Sequence, residues 1–342
     1  MGKVLKLGVL DQSPIRSSGT AADALNESVR LAQLAESLGY DRYWVAEHHG
    51  SNSFAGSSPE VLISRIAALT HTIRVGSGGV MLPHYSPYKV AENFNLLETM
   101  YPGRIDLGIG RAPGSDMQTS QALSYGSQIG VEYFPNKVAD LKAFIAGEPG
   151  ITKGLENVMA KPRQNSSPEI WMLGSSEQSA LYAAHFELPY SFAHFIAPDQ
   201  SQLCISQYYD SCKQSGVKPR VNLGVFVLCA ETEEKAKALA ACRDLWRLRF
   251  EKGDPGPCPS IEEARDYPYT DAERERLDRR NTIAGTPETV RKQLEALAAA
   301  HQVEELVVVT ICHDFDDRAS SYKLLADAFG LSTTLSTTLS TT

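Results

Sequence analysis

The chain has 342 residues, 42% hydrophobic and 22% charged, ordinary for a globular protein and long enough to bury a large core. A formal net charge of −8 argues against nucleic acid, since phosphate binding needs a basic patch, and no apolar run approaches the ~20 residues of a membrane span. Six cysteines (Cys204, Cys212, Cys229, Cys242, Cys258 and Cys312) form no CxxC pair, which argues against a disulfide scaffold or thiolate metal site and for a reducing, cytoplasmic location.

In chain order, short apolar runs without polar alternation suggest strands covered on both faces: 5–10, 42–46, 73–76, 105–109, 170–173, 190–193, 221–229 and 306–310. Helices lie between them. Thr20-Ala-Ala-Asp23 opens one, with Leu25, Ser28, Leu31, Ala32, Ala35 and Leu38 on one face and Gly39 closing it. Ser58-Pro59-Glu60 and Thr286-Pro287-Glu288 each offer a cap, an N1 proline and an acid. Eight strands with helical connections predict a single (β/α)8 TIM barrel over residues 1–330. The turn after strand one, Asp11-Gln-Ser-Pro-Ile-Arg16, lacks the G-x-G-x-x-G dinucleotide fingerprint. Two insertions, about 111–128 and 253–280, read as irregular lid-type loops. Residues 331–342 repeat Leu-Ser-Thr-Thr three times and read as a disordered extension.

The unusual motifs begin where strands end, which in a barrel is the catalytic face. Glu47-His48-His49 ends strand two; alternation forbids both histidines one pocket unless the strand has stopped. No H-x-x-H or H-E-x-x-H spacing supports a metal, leaving an acid/base imidazole or a loop histidine held by a hydrogen bond. Gly76-Ser-Gly-Gly-Val-Met-Leu-Pro83 packs three glycines into four residues, a cost that makes sense at a forbidden turn or against a flat ligand. Arg111 follows strand four in a glycine-flanked turn suited to an anion, or is a solvated charge. Ser176 and Ser179 open the helix after strand five, where they either cap it or join Arg111 in a two-part phosphate site. His194 ends strand six and either lines the mouth or packs in the core.

Together, Leu10-Asp-Gln-Ser-Pro14, Tyr43-Trp-Val-Ala-Glu-His-His49, Gly76–Pro83, Pro102–Asp116, Leu173-Gly-Ser-Ser176, Ser191-Phe-Ala-His-Phe195 and Gly285-Thr-Pro287 resemble the bacterial luciferase-like flavin monooxygenase family, in its single-chain group 1 branch. The resemblance spans about residues 5–330. It implies a barrel binding FMN, whose reduced form reacts with O2 to give a flavin peroxide that oxygenates a small organic substrate. It further implies His48 as the catalytic residue, a cis peptide at Gly78-Gly79 beneath the flavin ring, and phosphate contacts from Arg111, Ser176 and Ser179. A separate flavin reductase and a homodimer are the expected partners, with His194 and Asp11 in the substrate pocket. Gly110 stands where the light-emitting enzymes carry a reactive cysteine, and those enzymes also need a partner subunit, so light emission is not expected. Lys137, a point charge without the fork, aligns with a second phosphate arginine, whose contact is therefore not carried over. Hydride transfer with deazaflavin F420, or a non-catalytic flavin-binding barrel, are the alternatives on this fold.

Overall fold

A computed structural model describes residues 5–112, 114–125, 130–163, 165–278 and 282–332. Its strands are β1 (Lys6–Asp11), β2 (Arg42–Val45), β3 (Arg74–Met81), β4 (Ile105–Gly110), β5 (Glu169–Gly174), β6 (Tyr190–Ala193), β7 (Val221–Cys229), β8 (Ile283–Gly285) and β9 (Glu305–Val309). Between them run α1 (Ala21–Leu38), α2 (Pro59–Ala68), α3 (Pro87–Met100), α4 (Met117–Ser124), α5 (Phe134–Ala146) and α6 (Glu177–His185). The later helices are α7 (Ser201–Ser215), α8 (Glu233–Glu251), α9 (Ile261–Asp266), α10 (Asp271–Asp278), α11 (Pro287–His301) and α12 (Phe315–Phe329).

The eight expected strands pair in parallel in the cyclic order β1-β2-β3-β4-β5-β6-β7-β9, and β9 returns to β1. This is a closed (β/α)8 barrel. β8 was not expected; it pairs only with the far end of β7, through Val227 to Cys229, and stays outside the ring. At three residues it is too short for a periodicity to announce it. One apolar cluster fills the space between strands and helices, and a second, with Leu10, Trp44, Trp171, Val307 and Val309, fills the barrel interior.

Local chemistry sets the helix ends unevenly. Thr20 and Asp23 form a reciprocal capping box on α1, and Gly39 ends it at φ +85°. Ser58 and Thr286 occupy N-cap positions without a capping side-chain bond; the Thr286 hydroxyl is engaged with Glu233 and Thr289 instead. The insertions are also more ordered than expected, because α4 lies within 111–128 and α9 and α10 within 253–280. Positions 113, 126–128 and 279–280 of these insertions lie outside the described residues. So do 333–342 of the repeat tail, whereas Leu331 packs on the core.

The glycine run does not end β3 at Gly76. The strand continues to Met81 with a register shift against β4 between Ser77 and Val80, and Gly78-Gly79 is a cis peptide. Sterics explain the composition. A Cβ on Gly76 would sit 2.4 Å from the Asp106 carbonyl oxygen, one on Gly79 2.7 Å from that of Gly108, and one on Gly108 2.2 Å from that of Ser77. β3 and β4 are pressed together over this stretch, and only glycine fits the seam. At Gly110, by contrast, nothing lies within 4 Å of an added Cβ. Gly108→Ala should therefore cost at least about 2 kcal/mol in urea unfolding through overpacking against backbone, while Gly110→Ala stays within about 1 kcal/mol of the parent.

Candidate active site at the strand ends

β2 stops at Val45, and the next residues diverge. Glu47 is 2% exposed; its carboxylate accepts from the Met81 N–H (3.0 Å), the Tyr85 hydroxyl (2.6 Å) and His49 Nε2 (2.7 Å). Burial and then Glu47 push the Tyr85 phenol up. His48 turns away from this group. Its ring stacks on Phe54 at 4.3 Å and 29°, and its main-chain N–H donates to the Gly56 carbonyl (2.8 Å). Its Nδ1 is buried with no hydrogen-bond partner among the described residues. Burial, then neighbouring His49, lowers its pKa to about 4, so the ring is neutral at pH 7. Glu47 had been given no role. The i, i+2 relation that separates His48 from its neighbours would have placed Glu47 and His49 together.

A cover lies over Phe54. Residues 253–260, following α8, zip onto the turn after β1: the Cys258 N–H donates to the Ile15 carbonyl (2.7 Å) and the Ser17 N–H to that of Cys258 (2.8 Å). Trp246 of α8 donates from Nε1 to Ser53 Oγ (3.1 Å) and the Gly256 carbonyl (3.0 Å), and its ring meets Phe54 edge-on at 5.3 Å.

On the other side of the mouth, the structure brings Arg111 to α6. Its Nη1 donates to Gln178 Oε1 in the first turn of that helix (2.5 Å). Ser176 is the N-cap: its Oγ accepts from the Ser179 N–H (3.4 Å), and Ser179 Oγ donates to the Ser176 carbonyl (2.6 Å). Both hydroxyls and the Ser179 N–H thus serve the cap here, leaving the Glu177 and Gln178 N–H groups of the first turn and the helix dipole beside a guanidinium. The open surface at Gly110 adjoins them. A guanidinium, a helix N-terminus and an uncrowded backbone form a donor set that fits the phosphate of FMN.

One expected position is corrected, one left open takes its core-packing alternative, and Lys137 is engaged elsewhere. Asp11 is fully buried and lines no pocket; its oxygens accept from the Ser13 N–H (2.8 Å), Tyr43 (2.7 Å) and Arg318 (2.7 Å). His194 faces the helix layer, its ring 5.8 Å from that of His301 on α11, and Phe195 is the residue that enters the barrel interior. Lys137 is no phosphate ligand: its Nζ donates to the carbonyls of Pro83 (2.6 Å) and Tyr85 (2.9 Å). Among the described residues no group of three His, Cys, Asp or Glu side chains could hold a metal ion, and no helix is long and apolar enough to cross a membrane.

Fold and site together define a (β/α)8-barrel protein whose polar groups gather at the carboxyl ends of the strands. Residues 5–302 match the family model for luciferase-like monooxygenases, and the chain belongs to that family. It is 48% identical to the uncharacterized protein YwcH of Bacillus subtilis, over 95% of this chain and 99% of that protein. It is 37% identical to N-acetyl-S-alkylcysteine monooxygenase of the same organism, over 95% and 98%. The crystal structure of apo-MsnO8 superposes with a TM-score of 0.87 at 39% identity, over 96% of this chain and 99% of that one.

The buried histidines give the fold a pH signature. His48 and His194 both sit at about 4 through burial, against 6.5 for an ordinary imidazole. The unfolded chain therefore takes up protons between pH 6.5 and 4 that the folded chain refuses, and stability falls with pH across that window but not above it. Urea midpoints measured from pH 7 to pH 4.5 should show this decline, and His48→Gln or His194→Gln should each flatten it.

Proposed function

We propose that the protein is a monooxygenase that uses reduced FMN and O2 to oxygenate a small organic substrate, without light emission, its flavin supplied by a separate reductase. The observation that carries this reading is the meeting of Arg111 with the N-terminus of α6 beside the open face of Gly110. Reduced FMN, when bound, would supply the electrons that activate dioxygen. In this reading Arg111 and the first-turn amides of α6 hold the phosphate. His48, neutral and unpartnered at Nδ1, accepts or delivers a proton at the reacting centre. The cover of residues 253–260 excludes water. FMN is favoured over F420 because a longer acidic tail wants more cations, and Lys137 is already committed to carbonyls. For the dimer, the strongest support is apolar surface on neighbouring helices, with Val61 of α2 69% exposed and Leu96 and Met100 of α3 49% and 45%. Light scattering should return twice the mass of one chain; a monomer at micromolar concentration would refute that part.

The cofactor and the histidine are tested together. Fluorescence titration should show FMN binding that Arg111→Ala weakens by about 10- to 100-fold, since charge-assisted bonds to phosphate are among the stronger ones. Thioethers are the first substrates to try, because the relative at 37% identity is named for an S-alkylcysteine. With photoreduced FMN under 18O2, the product should carry one labelled oxygen. His48→Ala should keep FMN affinity and lose this product; loss of FMN binding in His48→Ala would contradict its role.

A further inference from the structure

A cavity of about 670 Å3 opens beside His48, and neither Arg111 nor α6 contributes to its lining. Its walls come from the turn leading into α1, from the segment after β2, and from Pro257 in the cover. The volume suits a small organic molecule. Thr20, Ser51, Asn52 and Ser57 offer neutral hydrogen-bonding groups, and His48 with its stacked Phe54 supplies a flat wall. Among the described residues, none that lines it is Asp, Glu, Lys or Arg.

The surrounding charges sharpen this. Arg16, next to the cavity wall, is neutralised by Glu27 at 2.7 Å. Asp23 caps the backbone of Thr20, its carboxylate 2.8 Å from that N–H. The Asp116 carboxylate stands 3.3 Å from where a Cβ on Gly50, another wall residue, would lie. The Arg16 Nε lies 3.0 Å from where a Cβ on the wall residue Gly19 would stand, but its guanidinium is already paired with Glu27, so an anion entering here would meet the Asp23 and Asp116 carboxylates and a neutralised cation. We infer that this is the substrate cavity and that it selects an uncharged molecule bearing an amide, ester, carbonyl or hydroxyl group over a carboxylate. The inference rests on His48 being the reacting side chain, which the cavity places at its wall. It also replaces Asp11 and His194, which face elsewhere.

Trp246 provides a readout independent of catalysis, because its ring lies 5.3 Å from Phe54. The full-length protein is titrated with phenylacetamide and phenylacetate at pH 7.5 while tryptophan emission is followed. The amide should give a saturable change at a concentration about tenfold or more below that of the acid. Asn52→Lys should close that gap by drawing the carboxylate; Ser57→Lys serves if the first variant does not fold. Trp246→Phe should abolish the signal. Equal or tighter binding of phenylacetate to the parent, no response to either probe, an unchanged ratio in the lysine variants, or a signal surviving Trp246→Phe would each overturn the assignment. FMN fluorescence in the same samples separates the two readings. Amide binding without FMN binding sinks the cofactor proposal and leaves the cavity, and the reverse outcome sinks the cavity alone.

Discussion

The buried pair between Asp11 and Arg318 joins the end of the first strand to the last helix, and the mouth of the barrel is built on it. Asp11 is 0% exposed, Arg318 2%, and they meet at 2.7 Å. Burial alone would raise the Asp11 carboxyl; the Arg318 charge and the hydroxyls of Ser28 and Tyr43 reverse this and hold it below its ordinary value. Such a pair is tolerated only when every remaining lone pair and proton finds a partner. Here Arg318 Nε also donates to the Thr310 carbonyl, and Asp11 Oδ1 also accepts from the Ser13 N–H. That last bond reaches the site. It holds Ser13 at φ +49°, a left-handed backbone that serine seldom adopts, and turns the chain so that Pro14 bridges Phe54. Phe54 then carries the His48 ring.

The opposite half of the mouth depends on the seam between β3 and β4. Glycines at 76, 79 and 108 let two backbones approach more closely than side chains permit, and the ladder shifts register there. Beyond the seam β4 ends at Gly110, and Arg111 then reaches the first turn of α6. Gly174 at the end of β5 works the same way: a Cβ there would lie 2.3 Å from Ser179 Oγ, so the turn into α6 folds tightly onto its own cap. The absence of side chains thus lets guanidinium and helix end approach, and the Arg111–Gln178 hydrogen bond joins them.

What the sequence made legible follows from how local each feature is. Eight buried strands showed because each is a run of apolar residues, and the α1 boundaries showed because a capping box and a left-handed glycine act within four residues. The glycine run was read as a forbidden turn or a close approach to a flat ligand; Gly78-Gly79 is the cis peptide expected, while at Gly76, Gly78 and Gly79 the space left by the missing Cβ is filled by Asp106, by Leu10 and Trp44, and by Gly108. Composition marked the place, but only the register of a neighbouring strand could say what filled it. His194 was left open between the mouth and the core for a related reason, and it takes the core side. Tyr190 and Phe192 face the helices, so the next residue of that parity does as well, and Phe195 turns inward. The two-residue period was available, though which parity faced inward was not. Lys137 lies far along the chain from the carbonyls it holds, a contact no local pattern encodes.

The state of His48 shows how cover and chemistry are coupled. Its low pKa has burial as its first cause, and that burial is built from a stack: imidazole on Phe54, Phe54 against Trp246, and Trp246 bonded to Gly256 of the cover. Each layer covers part of the one beneath. His49, two residues from Glu47, instead spends its Nε2 on that carboxylate. Two adjacent histidines in one motif thereby acquire different chemistry, since alternation at a strand end sends one to a carboxylate and the other under an aromatic roof. Held neutral at pH 7, the His48 ring offers an Nδ1 with no hydrogen-bond partner among the described residues, whereas the Nε2 of His49 is taken up by the Glu47 carboxylate. The roof over Phe54 therefore does more than close the mouth: it sets the protonation state of the side chain beneath it.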